Sequence, residues 1–118
     1  MNDFIGWDKS DVVWAVNILR RHGRTDWRIR IVDRITVRPQ YKQDDATGHY
    51  TGYCRREERV IEILRDQSRV EFRDTFVHEL AHTSTEPGHG EDWRITYETL
   101  LGMYMPKQAK PWAARMFC

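Results

Sequence analysis

Residues 78–82 read His78-Glu79-Leu80-Ala81-His82, and the H-E-x-x-H spacing restricts what this stretch can become. Residues four apart share one helix face, so on a helix both imidazoles can grip a single metal ion. Glu79 then points toward the ion without being needed as a ligand. In zinc hydrolases that leaves such a glutamate free to take a proton from water the ion has activated. The competing reading is a solvated face of an amphipathic helix. Against it, Phe76, Val77, Leu80 and Ala81 surround the three polar residues in a helical pattern.

Two histidines hold zinc poorly by themselves, and catalytic zinc usually takes three protein ligands and leaves a fourth position for water. His89, Glu86, Glu91 and Glu98 are the candidates for the third. His89 is preferred, because neutral imidazole is a good zinc ligand and the flanking Gly88 and Gly90 let the backbone turn it back toward the ion. Glu98 would suit an arrangement in which the third ligand is a glutamate on the next helix. The metzincin pattern is excluded, since Thr85 and Gly88 stand where it needs glycine and histidine. As general base, Glu79 would pass its proton to a leaving amine. Tyr50, Tyr53, Tyr97 and Arg94 are possible second donors to the substrate oxygen. His22 reads as a cation closing a helix, and His49 as a minor ligand candidate.

The rest of the chain reads as one domain over residues 1–118. Ser10 can cap a helix over 10–22 with Val13, Trp14, Val16, Ile18 and Leu19 as its apolar stripe, and Gly23 ends it. Trp27, Ile29, Ile31, Ile35 and Val37 alternate with arginines, predicting a half-buried strand over 27–37 with an interruption near Asp33-Arg34. Residues 39–48 read as a loop, 49–54 and 60–64 as short strands joined by a turn at 55–59. Ser68 followed by Glu71 is a capping box opening the helix that carries the metal motif to about Thr83. Pro87-Gly88 punctuates the next loop. A last helix over 91–103 turns Trp93, Tyr97, Leu100, Leu101 and Tyr104 inward, and a tail with Trp112 and Phe117 packs back on the domain. If the 60–64 strand lies at a sheet edge, an extended peptide can pair with it.

Composition narrows the class further. At 118 residues and 40% hydrophobic the chain can bury a modest core, and no apolar run is long enough to span a membrane. Residues 1–8 lack the basic start and apolar stretch of a signal peptide, and Cys54 and Cys118 are too few for a disulfide scaffold. An intracellular location is expected. Net charge is +1, so there is no global attraction to nucleic acid. Locally, Arg20, Arg21, Arg24, Arg28, Arg30, Arg34 and Arg38 face only Asp26 and Asp33. They read as solvated faces, or as a nucleic-acid footprint if one surface gathers them with Trp27 interleaved.

With these residues in place, the chain resembles the SprT-like family of zinc metallopeptidases, which includes the Spartan-type protease domain. The similarity rests on Thr51-Gly52-Tyr53-Cys54, like the family's small-Gly-x-Cys turn, on the H-E-L-A-H helix following a strand, and on Gly88-His89-Gly90-Glu91-Asp92-Trp93, like its G-H-G-x-x-F/W segment. It covers roughly residues 10–104. The segment between His82 and His89 is shorter than in the family, and no C-terminal zinc ribbon is present. The resemblance implies an α+β, zincin-like domain: N-terminal helix, three-stranded sheet, H-E-x-x-H helix, third-ligand loop and C-terminal helix. It implies a minimal zinc metallopeptidase, of the compact kind also encoded by phages, with Zn2+ on His78, His82 and His89. Its substrate would be polypeptide, and DNA association through residues 20–38 is the further expectation. The alternative is a zinc-stabilised binding or regulatory domain without turnover.

Overall fold

The first two helices of this chain begin where a side chain takes free amides of the first turn. The computed structural model describes residues 6–36, 50–86 and 88–109. The first helix, α1 (Lys9–Arg21), is capped by Asp8 and not by Ser10. Asp8 accepts from the Ser10 amide at 2.8 Å and the Ser10 hydroxyl at 2.5 Å, while Asp11 accepts from the Asp8 amide at 2.8 Å. A carboxylate is the better partner for the positive end of the helix dipole. The helix closes as expected at Gly23, whose amide and that of Arg24 return to Arg20 and Leu19. Its buried face is Ala15, Ile18 and Leu19, with Asp11, whereas Val13 is half exposed.

The strands are β1 (Arg28–Val32), β2 (Gly52–Arg55) and β3 (Val60–Leu64). β1 stops at a bend at Asp33, so Ile35 lies beyond it; Val37, Arg38, the 39–48 loop and His49 fall outside the described residues. The capping box at Ser68 and Glu71 is present and opens α2 (Arg69–His82). Next come α3 (Glu91–Tyr104), which buries Trp93, Tyr97, Leu100 and Leu101, and a one-turn α4 (Pro106–Ala109) that periodicity did not reveal. Trp112 and Phe117 fall outside the described residues, and no described helix is long and apolar enough to cross a membrane.

The sheet order is β1-β3-β2, with β1 parallel to β3 and β2 antiparallel to it. This α+β arrangement corrects one expectation: β3 is central and paired on both sides, so it offers no edge to a peptide. β1 and β2 take the edge places among the described residues. One face of the sheet, through Ile61 and Ile63, packs against the core with Phe72, Phe76, Val77 and Leu80 of α2. The other carries Glu62, held by Arg30 at 2.8 Å and Arg55 at 3.0 Å. α2 lies so close to β2 that a Cβ at Gly52 would stand 2.4 Å from Thr75 Cγ2 and 3.1 Å from Glu79 Cγ. That position must be glycine for the metal helix to seat on the sheet.

Helix α1 is tied to α2 by charge as well as packing. Asp11, fully buried, accepts from Arg69 Nε at 3.1 Å and Arg73 Nε at 2.6 Å. Arg73 also lies over the Trp14 ring, 4.5 Å from its centroid.

Two substitutions test this framework. Asp11→Ala leaves two guanidinium groups without their buried partner and should cost about 3 kcal/mol in chemical denaturation; a loss below about 1 kcal/mol would mean that the pair is dispensable. Gly52→Ala should cost about 1–3 kcal/mol through overpacking. It should also perturb the environment of Glu79, read by NMR, more than a comparable change on β1.

Candidate metal centre

Two four-residue periods, one on each of two helices, meet at the site. Asp74, His78 and His82 follow one another along α2, while His89, Trp93 and Tyr97 follow one another from the loop into α3. Packing α3 across α2 therefore brings all three histidines together. Their ring centroids form a triangle with sides of 5.1 Å (His78–His82), 5.1 Å (His78–His89) and 5.0 Å (His82–His89). One ligand nitrogen from each lies within 4.8 Å of the others, so the cluster could hold a metal ion. Glu86, Glu91 and Glu98 are not part of it; Glu91 is exposed and bonded to Arg94 at 2.6 Å.

The donor spacing suits an ion. His78 Nε2 and His89 Nε2 are 3.2 Å apart, and two nitrogens bound at zinc distances to a tetrahedral centre stand about 3.3 Å apart. The ligands are also ready in charge. Burial and the neighbouring histidines hold His78 well below the ordinary imidazole range, and burial first, then His89 and Arg56, brings His82 down to about 3. Both are neutral at physiological pH, so a metal need displace no proton from them.

Trp93 is the surface on which the histidines pack. Its ring centroid lies 4.6 Å from His78, 5.4 Å from His82 and 4.5 Å from His89. Its indole N–H donates to the His78 carbonyl at 3.2 Å. Tyr97 stacks beneath it at 4.9 Å, and its hydroxyl donates to Asp74. Of the two glycines beside His89, only Gly88 needs to be one: its φ is +98°. Gly90 has an ordinary φ of −77° and open space where a side chain would stand.

Glu79 is buried between α2 and β2, with its carboxylate 3.8 Å from His78 Nε2. Burial pushes its pKa up to about 8, with no compensating cation among the described residues. A bound ion would draw the carboxylate back toward its charged form. Cys54, which shares β2's inner face with Gly52, has its thiol pushed up to about 12 by burial and by Glu79, so it is inert as a nucleophile.

The remaining candidates sort clearly. The Tyr97 hydroxyl is committed to Asp74, and Arg94 donates to Glu91. Tyr53 is half-buried under Arg55 and feels the charge of Glu79. The Tyr50 hydroxyl is buried without a hydrogen-bond partner among the described residues. His22 sits 2.7 Å from the Tyr104 hydroxyl, away from the histidine cluster. In the arginine-rich stretch, Arg24 donates to Thr83, Arg30 pairs with Glu58 and Glu62, and Trp27 packs on the core instead of standing among the arginines. Reading single residues did not reveal the parts played by Asp74 and Gly52; the i, i+4 relation of Asp74 to His78 was the available signal for the first.

These charge states predict how the metal-free protein responds to pH. Above pH 6.5 His78 and His82 are neutral whether folded or unfolded, and Glu79 takes up a proton on folding until its own pKa of about 8 is passed. Stability should therefore fall as pH rises through this window, by at most about 1.4 kcal/mol per pH unit. Below pH 6.5 the two histidines bind protons only when unfolded, so stability should fall again toward acid. Thermal unfolding without metal should peak near pH 6.5, and Glu79→Gln should remove the alkaline decline alone. A flat wild-type profile above the peak would contradict a buried neutral Glu79.

Comparison with protein-family models, with curated proteins and with solved structures returns no match, so the chemistry of this site has to be judged from its own geometry.

Proposed function

We propose that the chain is a zinc-dependent metalloendopeptidase of the zincin kind, similar to SprT-like metallopeptidases. The observation that carries this is the triangle of three imidazoles with a buried carboxylate directly beside it. A purely structural zinc site normally closes with a fourth protein ligand and has no use for a base. Here the cluster has three histidines, and the residue next to it is Glu79.

Bound zinc supplies a Lewis acid that polarises a carbonyl and acidifies water. The chain's own residues do the rest. His78, His82 and His89 would hold the ion through their ring nitrogens, and Trp93 fixes the ring orientations by contact with all three. Glu79 takes the proton of the attacking water and delivers it to the leaving amine. Burial keeps bulk water from solvating that carboxylate, and the charge of a bound ion would draw it toward the ionised form in which it can accept a proton. Support for a polypeptide substrate comes from β2, an edge strand beside the metal helix to which an extended chain can add. DNA association, the further expectation, would act through Arg20, Arg21, Arg28 and Arg34, which are exposed.

Metal content and proteolysis measured on the same samples decide the matter. Wild type should hold about one zinc per chain and cleave an unfolded protein substrate. His89→Ala should lose most of the metal. Glu79→Gln should keep it while cleavage drops about 10²–10⁴-fold. If wild type binds zinc and cleaves nothing, with or without DNA, the chain is a zinc-stabilised binding domain and the peptidase reading falls.

A further inference from the structure

The loop over residues 83–90 decides whether the third imidazole reaches the other two. Two of its hydrogen bonds are local: Thr83 Oγ1 donates to the Leu80 carbonyl at 2.6 Å, and Thr85 Oγ1 to the Ala81 carbonyl at 3.0 Å. Both tie the loop only to the helix it has just left. Two others come from distant parts of the chain. Arg24, beyond the end of α1, donates from Nε to Thr83 Oγ1 at 3.2 Å. Arg56, in the turn between β2 and β3, donates from Nη2 to the Thr85 carbonyl at 2.5 Å. Arg56 thus joins the sheet to the loop four residues ahead of His89.

A cation at this place works against metal binding unless it does something else. The charge of Arg56 acts on His82 and Cys54, and a like charge beside an ion opposes that ion. Four arginines nearby in the fold have carboxylates: Arg30 and Arg55 on the sheet share Glu62, and Arg69 and Arg73 on α2 share Asp11. Arg56 is half-buried and has no carboxylate partner among the described residues. Among the described residues no arginine charge acts on Glu79, so Arg56 does not hold that carboxylate. What Arg56 holds is a backbone carbonyl.

We infer that Arg56 is a positioning residue that clamps the Thr85 carbonyl and so sets the reach of His89 toward His78 and His82. The inference rests on those histidines being the metal set, and it adds a residue to that site which neither spacing nor motif indicates. It makes an unusual demand on the sign of a mutational effect. Removing a mere neighbouring cation tightens metal binding, whereas removing a clamp weakens it.

The test measures zinc affinity by chelator competition for wild type, Arg56→Ala and Arg56→Lys, together with amide exchange at residues 84–86 and 88–90 in the metal-free proteins. Arg56→Ala should bind zinc about 10–100-fold more weakly, the usual consequence of losing a residue that orients a ligand, and its loop amides should exchange faster. Arg56→Lys keeps the charge and one donor, and should recover most of both. Zinc binding that is unchanged or tighter in Arg56→Ala, with unaltered exchange, overturns the clamp while leaving the metal centre standing. If wild type binds no zinc, the metal reading itself falls; faster exchange in Arg56→Ala would then still support the clamp, and unaltered exchange would overturn it.

Discussion

Contact between one buried indole and three imidazoles is the interaction on which the site depends. His78 and His82 are set by a single helix, but His89 belongs to another segment, and nothing in the local backbone brings it to them. Trp93 does so, because it lies one helical turn beyond His89 and is 1% exposed against α2. Its faces and edges touch all three rings, and its N–H is spent on the carbonyl of the residue that bears the first ligand. Burying an aromatic of this size drives α3 onto α2, and the same packing assembles the three histidines. Folding energy and site geometry are therefore one event.

The fate of buried carboxylates separates structure from chemistry in this molecule. Asp11, Glu62 and Glu79 are all withdrawn from water. Asp11 is held by Arg69 and Arg73, and Glu62 by Arg30 and Arg55. Each of those charges is compensated where it lies, as a buried ion must be. Glu79 has no such pair among the described residues, and burial raises its proton affinity. A buried acid left uncompensated beside three histidines that could hold a metal is the feature on which the proposed chemistry rests.

Much of the local architecture was legible because it is written in short-range patterns. The Ser68–Glu71 box, the strand at 60–64 and the inward set Trp93, Tyr97, Leu100 and Leu101 all follow from spacing that a reader of the chain can check. The misreadings were also local: Ser10 competed with Asp8 for the same cap, and a carboxylate won. Periodicity puts Val13 in the core stripe, while Asp11, two residues earlier and on the opposite side of the helix, is the residue buried, because arginines on α2 receive it. What could not be read was pairing. The central place of β3, the edge place of β2, and the absence of room for a side chain at Gly52 arise between segments far apart in the chain.

By itself, then, the amino-acid sequence determined the helix that carries His78, Glu79 and His82, its capping, and the presence of a third histidine on a turn built around Gly88, because each rests on backbone periodicity or on a side chain reaching its own neighbours. Tertiary structure decided that His89 and not Glu98 completes the triangle, that Glu79 is buried against β2 without a compensating charge, and that Arg56 reaches across to the ligand loop. Those outcomes depend on which surfaces exclude water together, and that exclusion is a property of the packed chain, absent from any single segment of it.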